Sequence, residues 1–506
     1  MAVKVTTIGL KGMEGYRVTV EIQQIEGPDS IVIVGLPDAS VKEAKERITA
    51  ALHTFKHGLE EKIVINLSPA EQRKNGPMFD LPMAIGLLCI MNTIHSPIDE
   101  HTGFIGSLSL DGSILPVEGM LPAILAAKKL GLKRLYLPFD EKLPPIEFSN
   151  LQLIYVSTIQ DVIDHLAGQN ILTLNSQSPK KLEPKTHTVT FEQIVGHEEA
   201  KRALEIAAAG GHHLFMSGPP GCGKSLLAES FASILPYLSS EEMLEVLSLY
   251  HLSGVSLENR TSRPYRSPHH SASSVSIIGG GQFPKPGEIS LAHNGVLFLD
   301  EMAEFSKKTL DMLRQPIETG NVTISRANAT VTYPALFNMI GAMNPCPCGY
   351  LGSNKHYCSC TPKQITAYQN RLSGPIRDRF DIFLSLQAVN FNTYHTPSDT
   401  SATVQQRVEK ARLIQYERYS QTILNSRVSY DTILKTSPLQ PSQQQLLRHL
   451  AAKQQLSSRA QIKIIRLART ISDLAESISI TDQSIWEAVK LNSREQSNKL
   501  VKAVTT

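Results

Sequence analysis

The sequence predicts a multidomain α/β protein built around a nucleotide-binding core, and three observations predict it. Its 506 residues are enough for about two to four domains with cores of their own. Gly218-Pro219-Pro220-Gly221-Cys222-Gly223-Lys224-Ser225 fits the phosphate-loop pattern G-x-x-x-x-G-K-[ST] at every fixed position. It stands between a short apolar run at 213–217 and a helical one at 226–232, the strand, loop and helix order that phosphate binding requires. Val296-Leu297-Phe298-Leu299 is an apolar strand that runs into two carboxylates, Asp300 and Glu301.

Each residue type in these motifs has a task. Glycines let the backbone of 218–223 wrap a phosphate with its N–H groups, Lys224 neutralises charge on the outer phosphates of ATP, and the Ser225 hydroxyl can meet a magnesium ion. Asp300 is placed to hold the water shell of that magnesium, and Glu301 to orient and polarise an attacking water. A glycine-rich surface turn is the plain alternative for 218–225, but it would not explain the strand, the Lys-Ser pair and the helix together. The next apolar strand, 338–343, ends in Asn344, whose amide either holds the same water or simply closes a turn.

The apolar fraction of 41% and charged fraction of 19% are those of a globular protein rather than a membrane or disordered one. No run of eighteen apolar residues occurs and Met1-Ala2-Val3-Lys4-Val5 lacks a signal core, so a cytoplasmic, membrane-free location is expected. A net charge of +3 means that any affinity for nucleic acid must come from local patches or a ring of subunits.

Residues 1–168 read as a first α/β unit. Alternating apolar patterns predict strands at 16–22 and 30–34, further strands at 62–66, 104–108 and 134–137, and helices at 38–55 (capped by Asp38), 81–92 and 121–130. The polar run 66–76 reads either as a solvated loop or as a binding loop. Residues 169–189, rich in Ser, Thr, Asn, Pro and Lys, read as a linker. The nucleotide-binding unit follows at 190–391. After a polar patch comes a helical unit, 403–503, in which Ile464, Leu467, Ala468, Ile471 and Leu474 share one face and Arg459, Lys463 and Arg466 another. That basic face reads as solvated. Asp482 or Thr481 can cap a last helix containing Trp486.

Four of the six cysteines fall within fifteen residues, as Cys346-x-Cys348 and Cys358-x-Cys360. In a reducing compartment this spacing argues for a closed, structural zinc site over 346–360, with free thiols or an iron–sulfur cluster as alternatives and His356 as a spare ligand. Cys89 reads as a core residue and Cys222 as a variable phosphate-loop position.

Two resemblances extend this reading. Gly106-Ser107-Leu108-Ser109-Leu110-Asp111-Gly112-Ser113-Ile114-Leu115-Pro116-Val117-Glu118-Gly119, followed by Ala126-Ala127-Lys128-Lys129-Leu130-Gly131, resembles the proteolytic domain of Lon-type proteases, a ribosomal protein S5 domain 2-like fold. That family uses a serine activated by a lysine; the corresponding positions here are Met78, within Gly76-Pro77-Met78-Phe79-Asp80, and Ala123. The resemblance therefore implies a scaffold without peptidase chemistry.

The second unit resembles the AAA+ superfamily, with Asn344 at its sensor 1, Asp378-Arg379-Phe380-Asp381 as the box holding its arginine finger, and Ser457-Ser458-Arg459-Ala460 as its sensor 2 on a helical lid. By that resemblance Arg379 reaches a neighbour's nucleotide and Arg459 the γ-phosphate of its own chain, although Arg371 and Arg377 compete for the finger and a simple ion pair would also explain Arg379. Arg266-Ser267-Pro268-His269-His270-Ser271-Ala272, the run Phe283 through Gly295, Val34-Gly35-Leu36-Pro37-Asp38, Asn344 through Gly349 and Ala468 through Leu474 are similar to the magnesium-chelatase-like AAA+ proteins of the ComM (YifB) branch. Arg377 departs from that pattern, which usually has an apolar residue there. The resemblance implies a ring, by expectation a hexamer, that hydrolyses ATP and acts on DNA as a helicase driving branch migration in natural transformation. An inserted loop at 267–289, carrying His269, His270 and Lys285, would line its pore. A chelatase-like motor acting on a protein partner is the alternative.

Overall fold

The structure, a computed structural model, describes residues 2–53, 61–141, 143–144, 148, 150–169, 189–257, 261–281, 284–326, 329–353, 356–388 and 399–493. The chain divides into two compact units, Met1–Glu183 with Leu244–Arg260, and Pro184–Met243 with Thr261–Thr506. Most of the expected linker and the end of the last helical unit lie outside the described residues.

The first unit holds β1 (Val3–Lys11), β2 (Glu14–Ile25), β3 (Ser30–Val34), β4 (Lys62–Ser68), β5 (Thr102–Phe104), β6 (Ser107–Leu108), β7 (Ile114–Leu115), β8 (Arg134–Leu137) and β9 (Gln152–Tyr155). Seven of these form a mixed sheet in the order β3-β4-β2-β1-β5-β8-β9. Val18, Val20 and Ile22 of β2 alternate inward, as their period of two requires. The helix Ala39–His53 starts at Asp38, whose carboxylate accepts from Val41 N at 2.8 Å.

Two expectations are corrected here. The predicted strand 104–108 breaks, because its backbone has other partners: Leu81 N donates to Gly106 O at 3.1 Å, and Gly106 N to Met78 O at 3.3 Å. The polar run 66–76 is no plain solvated loop, for Lys74 is fully buried, its ammonium on Pro69 O, and Gly76 N donates to Asp38 Oδ2 at 3.1 Å. Met78 and Ala123 are both buried apolar side chains.

The second unit is organised by β10 (Leu214–Ser217), β11 (Tyr265–Arg266), β14 (Gly295–Leu299), β17 (Phe337–Met343) and β18 (Ile382–Ser385), with small antiparallel pairs β12 (Gly279–Gly280) with β13 (Lys285–Pro286) and β15 (Asn321–Arg326) with β16 (Ala329–Pro334). The main sheet runs β11-β14-β17-β10-β18, all parallel, and its central strands are continuous apolar runs because they are buried on both faces. The helices Ser401–Tyr419 and Ser458–Leu474 pack on the helix Glu198–Gly210. Thr481, rather than Asp482, caps the last helix Asp482–Asn492, accepting from Ser484 N.

Two of the three basic residues on the face of Ser458–Leu474 are also not solvated, although Arg459 is exposed. Lys463 Nζ donates to Asp378 O at 2.6 Å and Phe380 O at 2.7 Å and lies 3.3 Å from Asp381 Oδ1, and Arg466 Nη2 donates to Val428 O at 2.5 Å. One helical turn further, Arg469, fully buried, pairs with Asp473 at 2.9 Å. Asp473 also takes Arg418 at 2.9 Å and Asn425 at 2.8 Å, so this buried carboxylate has all its lone pairs engaged.

His213, at the start of β10, is buried and accepts Met339 N–H on Nδ1 at 3.0 Å. Burial pushes its pKa from 6.5 to about 3, against the opposing pull of Asp381. The unfolded chain therefore binds a proton that the folded unit refuses, and stability falls as pH drops from 6.5 toward 3, by up to about 1.4 kcal/mol per pH unit. Denaturant titration followed by Trp486, the chain's one tryptophan, is expected to give midpoints that decline from pH 7 to pH 5, and to decline less steeply in His213→Asn. Equal slopes for both proteins would remove His213 as the cause.

Candidate functional site

The phosphate loop follows the last residue of β10, an interior strand whose neighbours are β17 and β18, so it opens at the carboxyl edge of a parallel sheet, where ligands bind in such folds. Gly221 and Gly223 take positive φ values of 74° and 86°, which a side chain would resist. Gly218 has no room either: a β-carbon there would stand 2.8 Å from both Cys222 Sγ and Leu386 O. The helix Lys224–Ser230 then begins directly on the loop.

Four predicted residues converge at this edge. Lys224 Nζ donates to Gly218 O at 2.7 Å, Pro219 O at 3.0 Å and Asn344 Oδ1 at 3.1 Å. Ser225 Oγ donates to Asp300 Oδ2 at 3.0 Å. Asp300 and Asn344 can do this because each is the first residue beyond its strand, β14 and β17. Glu301 is half-exposed with φ at 48°, a left-handed conformation that costs a non-glycine residue on the order of 1 kcal/mol. Its carboxylate lies 3.4 Å from His270 Nδ1, a residue of the expected insert. The same insert is anchored by a two-pronged pair, Arg266 to Glu288 at 2.6 and 2.7 Å. The sequence assigns His270 to a pore-lining loop and gives Arg266 no role of its own; their partners, Glu301 and Glu288, stand 31 and 22 positions away. Cys222 is buried, which pushes its thiol pKa up.

The arginines lie elsewhere. Arg379, Arg427, Arg459 and Arg466 line a cavity of about 910 Å³ that His213, Asn338 and Gly295 also border. That is the amino-terminal edge of the sheet, separated from the phosphate loop by the length of β10, about 13 Å for four residues. Arg379 is mostly buried and pairs with Glu318 at 2.5 Å. Arg371 pairs instead with Glu304 at 2.9 Å, and Arg377 reaches Gln369 O. Arg459, expected to meet its own chain's nucleotide, lines this cavity with Arg379, on a helix that Lys463 ties to the backbone of Asp378 and Phe380; Lys224 is not among the cavity's lining residues.

The cysteines form a second site. The Sγ atoms of Cys346, Cys348, Cys358 and Cys360 all lie within 4.8 Å of one another. The Cys346–Cys348, Cys346–Cys358 and Cys348–Cys358 separations are 3.4, 3.7 and 3.6 Å. Four sulfurs around a tetrahedral zinc at about 2.3 Å would stand about 3.8 Å apart, so the donor set fits the metal. Leu351 N and Cys348 N donate to Cys346 Sγ and Cys360 Sγ, each at 3.4 Å, which favours the thiolate form a metal needs.

A parallel sheet carrying a phosphate loop, an acidic pair on one strand and a polar amide on the next defines a P-loop nucleotide-binding protein. Family models cover most of the chain: "Magnesium chelatase, subunit ChlI" over residues 190–394, "Subunit ChlI of Mg-chelatase" over 20–141 and "Magnesium chelatase, subunit ChlI C-terminal" over 398–492. The chain is 38% identical over 489 residues to the competence protein ComM of Haemophilus influenzae, covering 94% of this chain and 95% of that protein. It is 39% identical over 490 residues to the YifB protein of Escherichia coli, covering 94% of each. The chain belongs to the ComM/YifB family of magnesium-chelatase-like AAA+ proteins. Among the described residues no helix is long and apolar enough to cross a membrane.

Elemental analysis of protein purified without added metal is expected to find about one zinc per chain, lost in the Cys346→Ser/Cys358→Ser double variant together with thermal stability of the second unit. A ratio near zero in a folded preparation would remove zinc from the account.

Proposed function

We propose that this protein is an ATP-driven motor that assembles into a ring, of six copies by family resemblance, and moves on DNA as a helicase that drives branch migration. The observation that carries the ATPase part is the meeting of Lys224 with Asn344 at 3.1 Å and of Ser225 with Asp300 at 3.0 Å on one sheet edge. Residues 218–225 would wrap the phosphates, with Lys224 against the outer two. A magnesium ion held by Ser225 and Asp300 would offset the charge of those phosphates. Glu301 would orient the attacking water and take up its proton as the γ-phosphate leaves, with Asn344 at the same sheet edge as a second holder of that water. Arg379 and Arg459 stand at the opposite edge, so a neighbouring subunit's nucleotide is the phosphate they are placed to serve, and hydrolysis would then need a ring.

DNA as the substrate follows from the family resemblance, supported by two hairpins of the second unit. Arg326 of β15 lies against Gly280 of β12, and Arg326 and Lys285 are exposed there, a small basic surface on a chain whose net charge is only +3. The first unit is read as a Lon-like scaffold without peptidase chemistry, since Met78 and Ala123 occupy the serine and lysine positions of that pattern.

Two variants and the response of the wild type to DNA test the assignment. Lys224→Ala is expected to lose most nucleotide binding, whereas Glu301→Gln keeps binding and turns over at least about a hundredfold more slowly. Forked or single-stranded DNA is expected to raise wild-type turnover, with the stimulation fading as salt rises; turnover indifferent to DNA at low salt would favour a protein substrate instead.

Subunit mixing tests the ring. Arg379→Ala and Arg459→Ala chains are each expected to bind ATP yet hydrolyse it slowly, and mixing either with Glu301→Gln chains restores part of the turnover, because an intact Glu301 then meets an intact arginine across an interface. Absence of rescue in mixtures whose subunits demonstrably exchange would place that arginine's action within its own chain.

A further inference from the structure

The cysteine loop does more than close on itself. It begins two residues after Asn344, the partner of Lys224 Nζ, and ends at the helix Pro362–Gln369. Between these points it lies against the phosphate loop. Gly349, at φ 83°, approaches so closely that a β-carbon on it would stand 2.7 Å from Pro220 Cδ and 2.8 Å from Pro220 Cγ. Its N–H is tied to Cys346 O at 3.0 Å, so the position of Gly349 is set by the cysteine knuckle itself. Pro345, Leu351, Gly352 and Gln369 share with Ser217, Gly218 and Pro219 a cavity of only about 30 Å³, and Gln369 Nε2 donates to Pro345 O at 3.1 Å.

Among the described residues, what holds this loop in place is slight apart from sulfur. Its buried apolar cluster is Cys346, Leu351 and Ile365, with the other three cysteines packed around it. Three buried side chains are too few to fix a loop of this length against its conformational entropy. Four thiolates on one cation cross-link its two ends, and a cation removed leaves four sulfurs with no common partner. The backing of Pro220 and the placing of Asn344 then lose their support together.

We propose that the metal in the four-cysteine site sets the nucleotide affinity of the phosphate loop, by holding Gly349 against Pro220 and Asn344 against Lys224. The proposal rests on reading 218–225 as the nucleotide site and the cysteines as metal ligands, and it adds that the two are coupled. The coupled property is binding, so it can be read without turnover.

The test uses the full chain and a fluorescent ADP analogue, with metal content measured on every sample. Chelation under reducing conditions is expected to weaken binding roughly fivefold or more, as couplings of this kind do, and added zinc to restore it. Gly349→Ala keeps its metal but pushes on Pro220, and is expected to weaken binding by a similar factor; adding Pro220→Ala to it removes the collision and recovers part of the loss. Because the Gly349→Ala variant retains its metal, it decides the matter even where stripped protein unfolds. Native affinity in Gly349→Ala, or in stripped protein whose circular dichroism is unchanged, overturns the coupling. Wild-type protein that binds the analogue but contains no metal overturns it at the metal, and metal-loaded wild-type protein that fails to bind the analogue overturns it at the phosphate loop.

Discussion

The carboxylate of Asp381 is the fixed point of the second unit. Its Oδ2 accepts His213 N at 3.0 Å and lies 3.6 Å from His212 Nδ1, while Oδ1 faces Lys463 at 3.3 Å. Burial alone would raise its pKa, but Lys463 and the hydrogen bond from His212 outweigh that and hold the group ionised far below the usual carboxylate range. Those partners come from two places in the chain, the entry to β10 and the helix Ser458–Leu474, while Asp381 itself stands at the entry to β18. One buried charge thus aligns the strand that carries the phosphate loop, the segment that carries Arg379 and the helix that carries Arg459. Removing one side of such a buried pair costs roughly 3–5 kcal/mol, because the other charge stays buried without a partner. Exposed pairs such as Lys410–Glu476, with both side chains about 60% exposed, contribute roughly 0–1 kcal/mol. The energetic weight of the charges therefore lies at the amino-terminal edge of the sheet.

That edge is also where the arginines stand, and the division has a mechanical consequence on the proposed reading. Asp300, Glu301 and Asn344 lie just beyond the strands β14 and β17, and Lys224 and Ser225 open the helix behind the phosphate loop. Arg379 and Arg459 sit on a platform cross-braced by Asp381 and, on the helix carrying Arg459, by Asp473 with Arg418, Arg469 and Asn425. A rigid donor of positive charge is the arrangement in which charge on a transferring phosphoryl group is stabilised without reorganisation of the donor.

Much of this was legible in the sequence, and the reasons are local. The phosphate loop, the acidic pair and Asn344 announce themselves because their chemistry needs fixed residues at fixed short spacings beside apolar runs. The helix start at Asp38 and the cysteine pairs are read in the same way. What escaped reading depends on contacts far apart in the chain. Lys463 and Arg466 look like a solvated stripe because nothing within a helical turn of them is acidic; their partners lie at 378–381 and at Val428. Arg469 and Asp473, four apart, look like an ordinary surface pair until Asn425 and Arg418 close over them. Lys74 looks like a loop lysine, although its chain is folded back under Pro69. The 104–108 run failed for the opposite reason: its alternation is strand-like, but Gly106 spends its backbone hydrogen bonds on Met78 and Leu81.

The first unit obeys the same logic at its own centre. Asp80, fully buried, takes Arg47 at 2.7 and 3.0 Å, Ser107 Oγ at 3.2 Å and Leu108 N at 3.1 Å. Burial raises its pKa, and the Arg47 hydrogen bond works against that rise. Two residues away, Met78 is buried in the apolar interior, and Ala123 is packed without exposed surface. A serine and a lysine at those two places would bury two polar groups, and a buried lysine without a carboxylate partner is costly. Methionine and alanine fill the same space with no such demand. Methionine and alanine at these two places suit a packed interior, and Asp80 is the ion-paired tie between the helices Ala39–His53 and Asp80–Ile90 and the β6 strand.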